Sequence, residues 1–282
     1  MTRHAKRATR SVHWIAARVG ESREAIATWA TGATVATAAL VAVGACCASA
    51  AEPASVPPAV AALVPMGWTV LAHATGDLNG DALADSVLVI TPNATEPTEL
   101  TVPSPGPRFD TRPRRMLTFL RDGPSYRLVS TADQLVPAAN ESESPCAEDP
   151  FEEVSIKAGV ARVSLSYWTS CGSWGTSAYG YSFKFERSTK RMRLFEVYRH
   201  SGSRTHGEAK EGWFNVVTGS ARVVDTVEVP EKRRVIRRYR LAPLAAIYAE
   251  QVIAGCDGAA ERQLWCTWPR QWRAIRVSPG RR

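Results

Sequence analysis

Asp77, Asn79 and Asp81 alternate, Leu83 can offer its backbone carbonyl, and Asp85 closes a series of oxygen donors that leads directly into the apolar run Ser86–Ile90. Carboxylate and amide oxygens at this spacing suit a hard cation, Ca²⁺ above all, which prefers a shell of several oxygens and tolerates a flexible loop. The same residues support a second chemistry that needs no metal. Asp and Asn side chains accept hydrogen bonds from backbone N–H groups two residues on, folding the loop as successive Asx-turns. Both readings stay open on the sequence.

The series resembles the DxNxDGxxD loop of EF-hands and dockerins, and more closely that of FG-GAP or VCBS-type β-propeller repeats. An EF-hand requires Gly at its sixth loop position and a bidentate Glu at its twelfth. Those positions are Ala82 and Leu88 here, and the residues that follow are β-branched. In the FG-GAP-like loop the donors join two strands, and GWTVLAHA (67–74) and Ser86–Thr91 both read as strands. Ala82 in place of Gly weakens such a loop if the backbone there needs positive φ. Together with GWTVLAHATGDLNGD, the stretches YWTSCGSWGTSAYGYSFKF and FNVVTGSARV resemble secreted bacterial proteins that carry one such loop, over about Val64–Thr226. The resemblance implies a β-rich fold and an extracytoplasmic location, and no particular activity.

Nucleophilic catalysis lacks a signature. Ser170, Ser173 and Ser177 lie in a Gly- and aromatic-rich stretch, and His200 and His206 follow near Arg199, Arg204 and Glu208, but no G-x-S-x-G occurs. Trp168 and Trp174 suit core positions or carbohydrate-stacking platforms. Zinc is not indicated: there is no C-x-x-C, and His73, His200 and His206 do not stand at i, i+4. KRRVIRRYR (232–240) reads either as a solvated strand face, opposite the acidic Glu141–Glu153, or as a contact for anionic phospholipid head groups.

The formal charge of +8 overstates how basic the body is, because residues 1–50 hold six Lys/Arg and two acids, leaving 29 basic against 25 acidic residues beyond them. That balance does not imply a nucleic-acid partner. Met1–Glu24 is Arg-rich and Thr31–Ala50 is uncharged, the n-region and h-region of an export signal over 1–50; an uncleaved membrane anchor is the alternative. Two processing sites compete. Ala48-Ser49-Ala50 fits a signal peptidase, whereas Val43-Gly44-Ala45-Cys46 fits a lipobox that would leave Cys46 lipidated and the protein membrane-anchored. Beyond the signal, Cys146, Cys171, Cys256 and Cys266 form an even set in an exported chain, which indicates disulfides. Of three pairings, Cys146 with Cys171 and Cys256 with Cys266 join nearest neighbours.

The elements that must position these groups are mainly strands. A Pro- and Ala-rich tether (51–63) precedes a β-rich domain (64–242) and a C-terminal extension (243–282). Strands at 115–121 and 126–131 join the two around the Asp/Asn loop into a four-stranded unit like one propeller blade. Further strands at 154–157, 160–168, 178–187, 191–198, 213–217 and 221–229 form a meander, with Tyr179, Tyr181, Phe183 and Phe185 on one face. With only one Asp/Asn loop, the fold class is antiparallel sheets packed as a sandwich rather than a closed propeller. Pro243–Ala254 reads as a short helix, with Leu244, Ile247, Tyr248 and Val252 on one side and Gly255 as its stop. The sequence therefore predicts a non-catalytic extracytoplasmic module, steadied by calcium, that binds a protein or envelope component. A periplasmic inhibitor or immunity-type protein is the alternative, and an envelope hydrolase the third reading.

Overall fold

The computed structural model describes residues 55–93, 109–142, 144–168, 171–172, 174–205, 207–227, 233–241 and 243–255. The segment 1–50 with Cys46, together with Ser170, Ser173, His206, Cys256 and Cys266, lies outside the described residues. The chain divides into two units, Met1–Ser49 and Ala50–Arg282, and the described residues all belong to the second.

Two antiparallel sheets make the body. The smaller runs β1 (Trp68–Gly76), β2 (Asp85–Pro92), β3 (Arg115–Asp122) and β4 (Ser125–Ala132), in that spatial order. The larger holds β5 (Phe151–Lys157), β6 (Val160–Trp168), β7 (Gly175–Glu186), β8 (Arg191–Ser203), β9 (Ala209–Asn215), β10 (Ser220–Val227) and β11 (Arg233–Arg240), each beside its neighbour in sequence. The turn between β5 and β6 is Ala158-Gly159 with φ of 49° and 75°, the doubly positive geometry that matches the twist of a two-residue hairpin.

The sheets face each other across one core. Val87, Val89, Met116 and Leu120 from the smaller sheet meet Val163, Leu165, Tyr181, Phe183, Met192 and Leu194 from the larger. The aromatic alternation of β7 supplies the centre of that layer. β1 comes close to β5 at Gly76, where an added Cβ would stand 2.6 Å from Ile156 Cγ2. The smaller sheet is also covered on its other face, which explains why β2 is buried almost end to end instead of alternating. There Leu88, Ile90, Leu117 and Phe119 pack with Val60 of α1 (Pro58–Ala61) and with Val56, Val64 and Trp68. Part of the Pro/Ala-rich stretch read as a tether is therefore structural.

The helix expected over Pro243–Ala254 is a correction. This segment is extended apart from a 3-10 turn at Ala249–Gln251. Its partner explains the outcome: β9 pairs with β8 only from Glu196 onward, and the strap occupies the edge left beyond it, with Leu194 N–H donating to Ile247 O at 2.8 Å and Arg193 bridged to Tyr248. Leu244 N–H donates to Val216 O and Ala254 N–H to Gln134 O. Filling a vacant sheet edge satisfies backbone groups that a helix would leave facing that edge. The apolar side chains serve the same core either way.

Candidate functional site

The loop between β1 and β2 is wound around Asp77. Asp77 Oδ1 accepts from the N–H groups of Gly80 at 2.6 Å, Asn79 at 3.1 Å and Asp81 at 3.3 Å, while Oδ2 accepts from Ala82 at 2.9 Å. Asn79 Oδ1 accepts from Asp81 N–H at 3.0 Å, and Asp81 Oδ1 accepts from Leu83 N–H at 2.8 Å. The Asx-turns of the metal-free reading are therefore present. Gly80 and Ala82 both take positive φ, 78° and 64°, so Ala82 sits in the conformation that favours glycine. The Ala82 amide above all, followed by those of Gly80, Asp81 and Asn79, holds the Asp77 carboxyl below its usual range.

Asp85 does a different job. It is fully buried, its Oδ2 accepting from Leu78 N–H at 2.7 Å and its Oδ1 from Arg121 N–H at 2.8 Å, so one carboxylate ties the loop to the end of β3. Burial pushes its carboxyl up, with the charges of Asp81 and Asp77 adding to the shift and the two amide donors opposing it. Among the described residues no three His, Cys, Asp or Glu side chains converge as a ready metal cluster. The donor types of Asp77, Asn79, Asp81 and Asp85 still suit a hard cation, whereas Leu83 enters the loop here through its N–H.

Cys146 and Cys171 are joined, with Cα atoms 5.2 Å apart. The bond clamps the acidic loop before β5 to the far ends of β6 and β7, where a cleft of about 580 Å³ opens among Pro137, Ala138, Tyr167, Trp168, Ser177 and Ser201. Trp168 and Trp174 lie in the surface layer here rather than in the core. The Arg204 guanidinium stands 4.8 Å from the ring centre of Trp168 and 5.7 Å from that of Trp174.

Sheet geometry separates the serine and histidine that the sequence brought near one another. Ser177 pairs with Ser201 and Ala178 with His200, so Ser177 and His200 occupy alternate positions and point to opposite faces. His200 lies within β8. A second pair, His73 Nε2 and Ser86 Oγ at 3.4 Å, was not foreseen; Ser86 is fully buried, so no substrate reaches its hydroxyl.

The face of the larger sheet turned away from the core carries another group that the sequence reading missed. Gly180, Tyr198, Trp213, Arg222 and Arg238 stand opposite one another on β7 through β11, forming a single cross-strand row. Arg162 lies across Gly180, where an added Cβ would come within 2.8 Å of its Nη2, and reaches toward Tyr198, 5.7 Å from the ring centre. The Tyr198 and Trp213 rings are 5.3 Å apart, and the Arg222 guanidinium stands 5.1 Å from Trp213. Beside this row a groove of about 570 Å³ takes in Glu196, Trp213, Asn215, Arg222, Arg238 and Arg240.

Burial pushes the Glu196 carboxyl up against the opposing charges of Arg162 and Lys184, and pushes the Tyr198 hydroxyl up to about 12. His200 is lowered by burial, with Glu211 opposing. A period of two in KRRVIRRYR was the available signal. It sends Arg234, Ile236, Arg238 and Arg240 to this face and Val235, Arg237 and Tyr239 to the other.

Comparison of the chain with protein-family models, with curated proteins and with solved structures returns no match.

Proposed function

We propose that this chain is a non-catalytic, β-rich binding module that works outside the cytoplasm, with its Asp77–Asp85 loop steadied by a calcium ion, and that it holds a protein or envelope component. The observation that carries this reading is the cross-strand row of Tyr198, Trp213, Arg222 and Arg238 beside its groove. Aromatic and arginine side chains gathered on one sheet face are the composition of binding surfaces. The signal-like residues 1–50 and the Cys146–Cys171 bond suit an oxidising compartment. Attachment through a lipidated Cys46 is part of the same proposal.

Calcium fits the loop's electrostatics. The charges of Asp77 and Asp81 act on Asp85 in the direction a cation would offset, and binding to the folded form alone raises stability by mass action. Millimolar Ca²⁺ should raise the melting temperature of the protein isolated from its host, and Asp81→Ala should remove that increment. No shift at an ion concentration that fills even weak extracellular sites would end the calcium proposal. For binding, the whole protein is used to capture partners from an envelope extract. Wild type should retain a component that Arg222→Ala/Arg238→Ala loses, and equal capture by both would remove this face from the reading.

A further inference from the structure

We infer that the groove beside Trp213 binds an acidic glycan, its carboxylates held by Arg222, Arg238 and Arg240 and a sugar face laid near Trp213. This deepens the binding role proposed above and rests on it. Five arginines elsewhere find carboxylates: Arg112 with Asp110, Arg114 with Asp149, Arg115 with Asp133, Arg191 with Glu250 and Arg193 with Glu186, while Arg121 and Arg187 donate to backbone carbonyls. On β11 itself Arg237, on the core-side face, is paired with Asp225. Arg222, Arg238 and Arg240 are exposed, and among the described residues none forms an ion pair.

Arg222 and Arg238 are direct cross-strand partners, and Arg240 is the next outward residue along β11. Like charges set opposite each other across an antiparallel pair repel, and a bound anion offsets that repulsion. Guanidinium also matches a carboxylate with two parallel hydrogen bonds.

The rest of the groove's lining suits a sugar. Trp213 is half-buried and contributes an indole ring beside the guanidinium cluster, while Asn215 and Glu196 supply amide and carboxyl groups able to bond hydroxyls. An anion, a flat apolar ring face and several hydroxyls occur together on a sugar acid. A phospholipid surface offers the anion but is flat. Glu196 and Asn215 instead line a groove.

The test is titration calorimetry of the whole protein with oligogalacturonate, run beside neutral maltohexaose, polyglutamate and anionic phosphatidylglycerol vesicles. Oligogalacturonate should bind and the neutral sugar should not. Arg222→Ala/Arg238→Ala should lower affinity at least about tenfold and flatten its dependence on salt, whereas Trp213→Ala should lower affinity and leave the salt slope unchanged. Circular dichroism of each variant checks the fold, and Arg222→Lys/Arg238→Lys, which keeps charge and loses the fork, should bind at an intermediate level.

Polyglutamate binding as well as oligogalacturonate, binding only to the vesicles, or wild-type affinity in the arginine variant would each overturn the inference. Should oligogalacturonate fail while envelope capture stays sensitive to Arg222→Ala/Arg238→Ala, the glycan is wrong and the binding role stands. If capture is insensitive as well, both fall.

Discussion

Thr118 is fully buried in β3, opposite Ser130 of β4, and neither hydroxyl has a hydrogen-bond partner. A buried hydroxyl without a partner carries its desolvation penalty uncompensated, so Thr118→Val, which keeps the shape, should raise stability by about 1 kcal/mol, read from urea unfolding. Ala82 makes the opposite kind of concession, because its side chain tolerates the left-handed backbone that the wrap around Asp77 demands. Ala82→Gly should stabilise by roughly 0.5–1 kcal/mol, the relief of strain exceeding glycine's larger entropy loss. A melt with no gain, or a loss, would mean that the loop does not hold this conformation in solution.

At the scale of elements, the Cys146–Cys171 bond closes a span of 25 residues that contains all of β5 and β6. Loop-closure entropy assigns such a link about 3 kcal/mol, so Cys146→Ser/Cys171→Ser should lower the melting temperature and loosen the loop around Trp168. A variant that melts with wild type would show that the link constrains neither state. This pairing was legible from sequence proximity, as were the Asp/Asn loop, the hairpin turns and the inward aromatic face of β7. Each rests on local chemistry or on a period of two.

What escaped depends on neighbours that are remote in sequence. The row from Gly180 to Arg238 exists only once five strands are in register. The helix reading of 243–254 failed because an apolar stripe does not reveal that β8 has a vacant edge to fill. Asp85 illustrates both sides: its oxygen donors were plain in the sequence, but their use by Leu78 and Arg121 required β3 to be in place.

For the molecule as a whole, the pH dependence of stability carries a signature of β8. Burial depresses His200 below its unfolded value of 6.5, so its contribution is fully present above that value and is lost as pH falls toward the folded value. Between about pH 8 and about pH 5, wild type should lose more stability than His200→Gln, measured by urea midpoints; parallel curves would refute it.

The order of the strands sets a timetable as well as an architecture. In both sheets every strand is bonded to its neighbour in sequence, so successive hairpins close over short stretches of chain at little entropic cost and can zip up as the polypeptide emerges. The strap from Leu241 to Gly255 breaks that rule. It returns to Leu194 and, through Ala254, to Gln134, and it is synthesised after every strand it fastens. A chain whose sheets zipped before the strap docked would leave the edge of β8 beyond Glu196 open to a protease until Ile247 and Tyr248 arrived.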